Sequence, residues 1–374
     1  MKRSLIVDTH ASSCYFRTSM ADDRRKALIQ VTERCDLHCA HCFVSSMKEG
    51  LDMDYEDIVS TVIPQLQAAR VERITLTGGE PVSHPRFMDI CRAVSDAGCA
   101  LGICTNGTQS DDAQIAELAT LPDVHVNISL DGFRRESHGK FRGDKASFDV
   151  TVETARKFAG AGLLQGFLST PNMLTEPQEF ADLCAFAAKI GAQYVLMNPL
   201  SSFGRGVKSQ GRMAADEKKM RAIAAVTKRF DSDDLDVVQI RFPNDDLPLG
   251  GCDVGKLIYV YADGHVAACP YLVFAARTPQ SKYSDSEFLV GNILEDDDVV
   301  KRLDAYDFHS RYAVGDNPTC GACAMNSSCG KGCPAAVITN GGRIGDVDAE
   351  QCPVGDEQHM VSDGVRLLPL AVRS

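Results

Sequence analysis

Cys35, Cys39 and Cys42 are spaced C-x3-C-x2-C directly after the apolar run 27–31. A structural zinc site needs four protein ligands, so three thiolates on one short loop leave such a site incomplete. Three thiolates can instead hold a four-iron cluster and leave one iron without a protein ligand. A small molecule bound to that open iron can receive an electron from it. A second group comprises Cys252, Cys269, Cys320, Cys323, Cys329, Cys333 and Cys352, and its central four read C-x2-C-x5-C-x3-C. Seven thiolates do not make two four-cysteine zinc sites. Of the remaining cysteines, Cys91, Cys99, Cys104 and Cys184 lie in apolar surroundings and read as small buried hydrophobes. Nothing assigns a role to Cys14.

Further polar residues stand at the ends of apolar runs. Gly78-Gly79-Glu80-Pro81 follows the run 73–77; two glycines let a backbone approach a ligand, and Glu80 can accept from an ammonium group. Thr105-Asn106-Gly107 ends the run 100–105. Ser129 and Asp131-Gly132 end the run 125–130, with His138 and Arg142 just beyond. Met197-Asn198-Pro199 ends the run 194–197, and Gly204-Arg205-Gly206 follows. Each is an ordinary turn pair by itself. Their shared place at strand ends is what a functional site on a parallel sheet requires.

The elements that must position these residues alternate. Strands are expected at 27–31, 73–77, 100–105, 125–130, 166–169 and 194–197, with helical stretches at 55–69, 86–96, 111–118, 148–159 and 177–190. Strand–helix alternation implies a parallel sheet, because a parallel crossover needs a long connection. Six such units fit an open doubly wound sheet or a partial barrel, and both gather ligands at the C-terminal strand ends. After about residue 235 the pattern changes. The run 257–268 alternates around Asp263-Gly264, a hairpin signal. From Cys252 onward the chain is expected to be loop-rich, short of apolar material and stapled by metal clusters. The division is therefore 1–24 as an N-terminal extension, 25–235 as the α/β unit and 236–374 as a small cysteine-rich domain.

A net charge of −12 argues against a nucleic-acid-binding face. No apolar run reaches the roughly 18 to 20 residues needed to span a bilayer, and the N-terminus lacks the apolar core of a signal peptide. The expected compartment is the cytoplasm, where thiols stay reduced and cysteines read as cluster ligands before disulfides.

The cysteine triplet with its strand-end motifs resembles the signature of radical S-adenosylmethionine (radical SAM) enzymes. That resemblance implies a partial (β/α)6 TIM-type barrel. It also implies that Cys35, Cys39 and Cys42 hold a 4Fe–4S cluster whose fourth iron binds S-adenosylmethionine. Reductive cleavage then yields a 5′-deoxyadenosyl radical that abstracts a substrate hydrogen. The family's contacts map onto Gly78, Gly79, Glu80 and Pro81 for the amino group, and onto Ser129 and Arg142 for the ribose and carboxylate. Asn106 and the backbone at Met197 fall among the strand-end contacts, the latter toward the adenine. His41 stands where the family usually has an aromatic residue.

The second cysteine group resembles the SPASM domain of radical SAM enzymes that act on peptides. The resemblance implies two auxiliary 4Fe–4S clusters, making three in all. One would be held by Cys320, Cys323, Cys329 and Cys352. The other would be held by Cys252, Cys269 and Cys333, with an open iron or a non-cysteine ligand such as Asp253 or His265. It further implies a peptide or small-protein substrate modified by crosslinking, epimerisation or oxidation, and an electron donor such as flavodoxin or ferredoxin. The short extension before the first strand leads to the expectation that either a separate protein presents the peptide or the substrate needs no leader. Rival readings are a maturase of a non-peptide substrate such as a tetrapyrrole, and a non-catalytic zinc-stabilised binding protein. Sulfatase maturation is disfavoured, because Pro270 stands where that group has an Asp after the cysteine.

Overall fold

The structure is a computed structural model that describes residues 24–244 and 247–354. Cys14 and all of the N-terminal extension except Arg24 lie outside the described residues. The strands are β1 (Arg25–Thr32), β2 (Val71–Gly78), β3 (Ala100–Thr105), β4 (Val124–Ser129), β5 (Leu164–Ser169), β6 (Tyr194–Met197), β7 (Asp236–Gln239), β8 (Leu257–Val260), β9 (His265–Ala267) and β10 (Leu289–Asn292). They form one sheet in the order β10-β9-β8-β1-β2-β3-β4-β5-β6-β7. From β8 through β7 all neighbours are parallel, whereas β8–β9 and β9–β10 are antiparallel. The fold is thus α/β with an unclosed, mainly parallel sheet.

Alternation along the strands sets the two faces. Ala27, Ile29, Val31, Ile74, Leu76, Leu101, Ile103, Val126 and Ile128 are buried in the apolar layer. The intervening Leu28, Thr75, Thr77, Gly102, Cys104, Asn127 and Ser129 all line one cavity. Residues from β1 to β6 and from β8 can share a cavity only if the sheet curls around it, as a partial barrel does.

The helices Phe87–Asp96, Asp112–Leu118, Ser147–Gly160 and Pro177–Ile190 fall where periodicity places them. Asp111 caps its helix by accepting from Gln114 N, and Gln114 reciprocates. The stretch expected at 55–69 is helical but contains a π turn, Ile58–Val62. That turn precedes Pro64, which lacks the N–H that would bond the carbonyl of Ser60.

Several elements lie outside the sequence expectation, among them the helices Arg135–Arg142, Pro270–Ala276 and Pro334–Thr339. β7 extends the parallel sheet past residue 235, and β10 pairs with the hairpin β8–β9. The helices Gly206–Met213 and Glu217–Thr227 fill the crossover from β6 to β7. The C-terminal segment also has more apolar substance than its loops suggest. Tyr259, Tyr261, Leu272, Phe274, Phe288, Phe308 and Ile338 form a second buried core, against which Phe43 and Val44 of the first cysteine loop pack. No helix among the described residues is long and apolar enough to cross a membrane.

Candidate active site

β1 runs into the cysteine loop, and neighbouring strand ends hold that loop backbone to backbone. Gly79 N donates to Thr32 O at 2.8 Å and Glu80 N to Arg34 O at 2.8 Å. A Cβ on Gly79 would stand 2.1 Å from Arg34 O, and one on Gly204 2.4 Å from Cys42 O. The close approach that the glycines permit is therefore first to the cysteine loop. Gly78 and Gly79 also line the large cavity. Arg205 fastens the other side, with Nε donating to Cys39 O at 2.8 Å and Nη1 to Ser46 O at 2.6 Å. Asn106 Nδ2 donates to Asp36 Oδ1 at 2.9 Å, with Cys35 Sγ 3.9 Å away.

Cys35, Cys39 and Cys42 all line the cavity. Burial pushes the Cys35 thiol up to about 12, with Glu80 and Cys39 adding to the shift against the Leu37 N–H. Burial likewise raises Cys39 to about 11, although Arg142 opposes it. Thiols in this environment ionise only when a strong positive charge joins them, which a coordinated metal supplies. Among the described residues no three His, Cys, Asp or Glu groups converge on one point that a single ion would occupy. Three thiolates on one loop that all line one cavity suit a cluster with one iron left open.

Glu80 is 1% exposed and stands behind Thr105 and Asn106, which line the cavity. Its carboxylate accepts from Thr105 Oγ1 at 2.7 Å and Asn106 N at 2.7 Å, joining the ends of β2 and β3. Burial raises its pKa to about 7 against those hydrogen bonds. Pro81 opens a short turn behind the cavity wall. The side chain of Met197 lies in the apolar core, and its carbonyl accepts from Ile240 N at 2.9 Å. Its neighbours Leu196 and Asn198 line the cavity instead.

Asp131 organises the opposite wall. It is fully buried, accepts from Arg142 Nε at 2.7 Å and Thr170 N at 2.6 Å, and has His41 Nε2 3.7 Å away. Burial works against its charge, yet Arg142 and the two histidines hold its pKa below the usual range. The His41 ring stacks on Phe141 at 4.6 Å with a 6° tilt. Burial lowers His41 to about 4, against the pull of Asp131, so the ring is neutral. Phe141 and Tyr194 escape the sequence reading, which holds Asp131 only as half of a strand-end Asp-Gly pair. Tyr194 donates to Asn127 Oδ1 over Gly166 of the intervening β5.

The cavity has a volume of about 1180 Å³, and Asn106, Ser129, Arg142 and His41 line it beside the cysteines. Among the described residues His41 Nδ1 and Ser169 Oγ are buried there without a hydrogen-bond partner. Orphaned polar atoms in a wall suit a polar ligand that supplies their missing bonds. The residues present therefore fit a cluster with a polar small molecule beside it.

In the C-terminal segment the charges of Cys252, Cys269 and Cys333 act on one another, so these three share a neighbourhood. Burial and the two other thiols push Cys252 well up. Cys333 N donates to Asp348 Oδ2 at 3.0 Å, and Asp348 is held by Arg241 at 2.7 Å. His265 pairs with Asp263 at 3.0 Å, at the hairpin turn. Cys320 is at a helix start, where Asn317 Oδ1 accepts from Cys320 N at 2.8 Å. Of the other cysteines, Cys91 and Cys184 lie in the core, while Cys104 lines the large cavity and Cys99 its lower end.

Residues 29–187 match the family model of the Radical SAM superfamily. The sporulation killing factor maturation protein SkfB of Bacillus subtilis (strain 168) is 27% identical over 243 residues, covering 64% of this chain and 59% of SkfB. The chain thus spans less than two thirds of that relative's length. Mycofactocin maturase MftC of Mycolicibacterium smegmatis is 25% identical over 323 residues, covering 83% of this chain and 78% of MftC. The fold is shared with Streptococcus suis SuiB bound to S-adenosylmethionine, at a TM-score of 0.66 and 16% identity over 87% of this chain and 77% of SuiB.

Proposed function

We propose that this chain is a radical SAM maturase that modifies a peptide. The observation that carries the reading is the triplet of buried Cys35 and Cys39 and half-buried Cys42, facing one cavity with Asn106, Ser129 and Arg142. When bound, a 4Fe–4S cluster and S-adenosylmethionine supply one-electron cleavage of the sulfonium and abstraction of a substrate hydrogen. The protein's part is position and shielding. Gly79, Gly204 and Arg205 hold the thiolate loop, Asn106 ties it to β3, and Arg142 presents a positive charge that Asp131 fixes in place. His41, neutral and stacked on Phe141, offers Nδ1 as an acceptor in the same wall.

The relatives SkfB and MftC are named as maturation proteins, and SuiB has been solved with its precursor peptide SuiA, which supports a peptide substrate. The ordered C-terminal cysteines support a SPASM domain with two auxiliary clusters. In this reading Cys252, Cys269 and Cys333 hold one, and Cys320, Cys323, Cys329 and Cys352 hold the other. Pairing with a flavodoxin- or ferredoxin-type donor and a cytoplasmic location belong to the same proposal.

Anaerobic incubation of the reconstituted protein with S-adenosylmethionine and a reductant tests the reading. It is expected to release 5′-deoxyadenosine. Replacing all three of Cys35, Cys39 and Cys42 with Ala is expected to abolish that release and lower the iron content by about four per chain. Reconstituted protein that is colourless and holds zinc would refute the reading.

A further inference from the structure

Lys26 of β1 and Arg73 of β2 are register partners on adjacent parallel strands. Both side chains line the large cavity, at the end of the lumen opposite the cysteines. Adjacent strands lie about 4.8 Å apart, so two positive charges stand side by side within the barrel. Among the described residues neither has a carboxylate partner. Burial first, and Arg73 second, lower the Lys26 ammonium to about 8. Two carboxylates line the nearby mouth, but each is engaged elsewhere. Glu72 pairs with Arg24, and Asp123 pairs with His125 at 2.7 Å, their side chains 44% and 63% exposed. Gln165, Asn127 and Tyr194 supply neutral polar groups along the same lumen.

Like charges in a partly desolvated lumen repel, and a bound anion relieves both. The volume also leaves room for one. A cavity of about 1180 Å³ exceeds the roughly 300–1,000 Å³ of pockets that enclose a single drug-sized ligand. From Lys26 to Thr32 the strand rises about 20 Å, the reach of about six extended residues.

We propose that Lys26 and Arg73 form an anion site that takes a carboxylate of the peptide substrate, anchoring the chain while a residue within about six positions of it is modified. This rests on the peptide-maturase reading. The carboxylate comes from an acidic side chain or from the peptide's C-terminus. Lys donates as a compact point charge and Arg as a planar fork, a combination that grips one carboxylate from two directions.

The test uses the cluster-loaded protein with S-adenosylmethionine and three probes, with dissociation constants measured by calorimetry. The first is N-acetyl-Gly-Gly-Asp-Gly-Gly-amide, the second its Asn counterpart, and the third N-acetyl-pentaglycine with a free C-terminus. At least one carboxylate probe is expected to bind about tenfold or more tightly than the Asn probe, as charged hydrogen bonds dictate. Which probe binds identifies the source of the carboxylate. Lys26→Gln and Arg73→Gln are each expected to erase that preference, while the ligand-free melting temperature stays level or rises because a repulsion has gone. Equal affinity for all three probes, or no saturable binding by the wild type, overturns the proposal without recourse to any variant. So does an unchanged preference in both variants. Release of 5′-deoxyadenosine without peptide is measured in parallel. Its absence would sink the proposed function, whereas loss of carboxylate preference alone sinks only the anion site.

Discussion

Glu80 is the residue to whose role the tertiary structure adds most. Its place in the Gly-Gly-Glu-Pro run suggests an acceptor for a ligand's ammonium group, and its oxygens also tie down the end of β3. Glu80→Ala would leave the Asn106 N–H and the Thr105 hydroxyl buried without this acceptor, at about 1–3 kcal/mol each. A lower denaturation midpoint is expected, with Glu80→Gln milder because it keeps one acceptor oxygen. Lys26 carries a pH signature. Its pKa is about 8 folded against 10.5 unfolded, so between these values the unfolded state binds more protons. Stability therefore rises with pH across that window and is lost as pH falls toward 8. Lumen water screens the effect to about 1–2 kcal/mol. Melting curves from pH 8 to 10.5 should show this rise in the wild type and not in Lys26→Met.

At the scale of elements, the site is made where strand ends press on the cysteine loop. The β1–β2 register shifts between Gln30 and Thr32, so that Gly78 comes opposite Thr32 just before the loop begins. Gly79→Ala forces a methyl against Arg34 O and is expected to cost about 1–3 kcal/mol or more through backbone displacement. Its cluster content, read from the visible absorbance, should fall with it. Gly160 is the contrasting case. It ends the helix Ser147–Gly160, and an added Cβ there meets nothing within 4 Å. Gly160→Ala should stabilise by about 0.4–1 kcal/mol in the same denaturation assay, with absorbance unchanged.

At the scale of the molecule, one sheet joins the first cysteine loop to Cys252 and Cys269, which flank the hairpin β8–β9. β8 pairs parallel to β1, so the hairpin β8–β9 continues the barrel wall directly into the C-terminal segment. Arg25 on β1 reaches Asp304 at 2.7 Å across the same join. Near the far edge, Arg241, just past β7, forks onto Asp348 at 2.7 and 3.0 Å. Breaking such a buried pair from one side typically costs about 3–5 kcal/mol because the remaining charge is stranded. Arg241→Met should show this in denaturant unfolding and loosen the segment around Cys333. The double variant Arg241→Met, Asp348→Leu should recover part of the loss.

The amino-acid sequence by itself determined the thiolate spacing, the six strands β1 to β6 and the residues that punctuate their ends. These are local features: ligand spacing on one loop, period-two alternation and turn chemistry act within a few residues. The tertiary structure decided what no local pattern carries. β7 and β10 are four-residue strands whose existence depends on a neighbour to pair with. Glu80 and Met197 sit at strand ends that reach the cavity, yet they are not among the residues lining it. The pairing of Asp131 with Arg142, and of Lys26 with Arg73, arises only when separate segments are brought side by side. The cysteine triplet could be read as an open site from spacing alone; the shape and charge of the lumen beneath it come from the curl of the sheet.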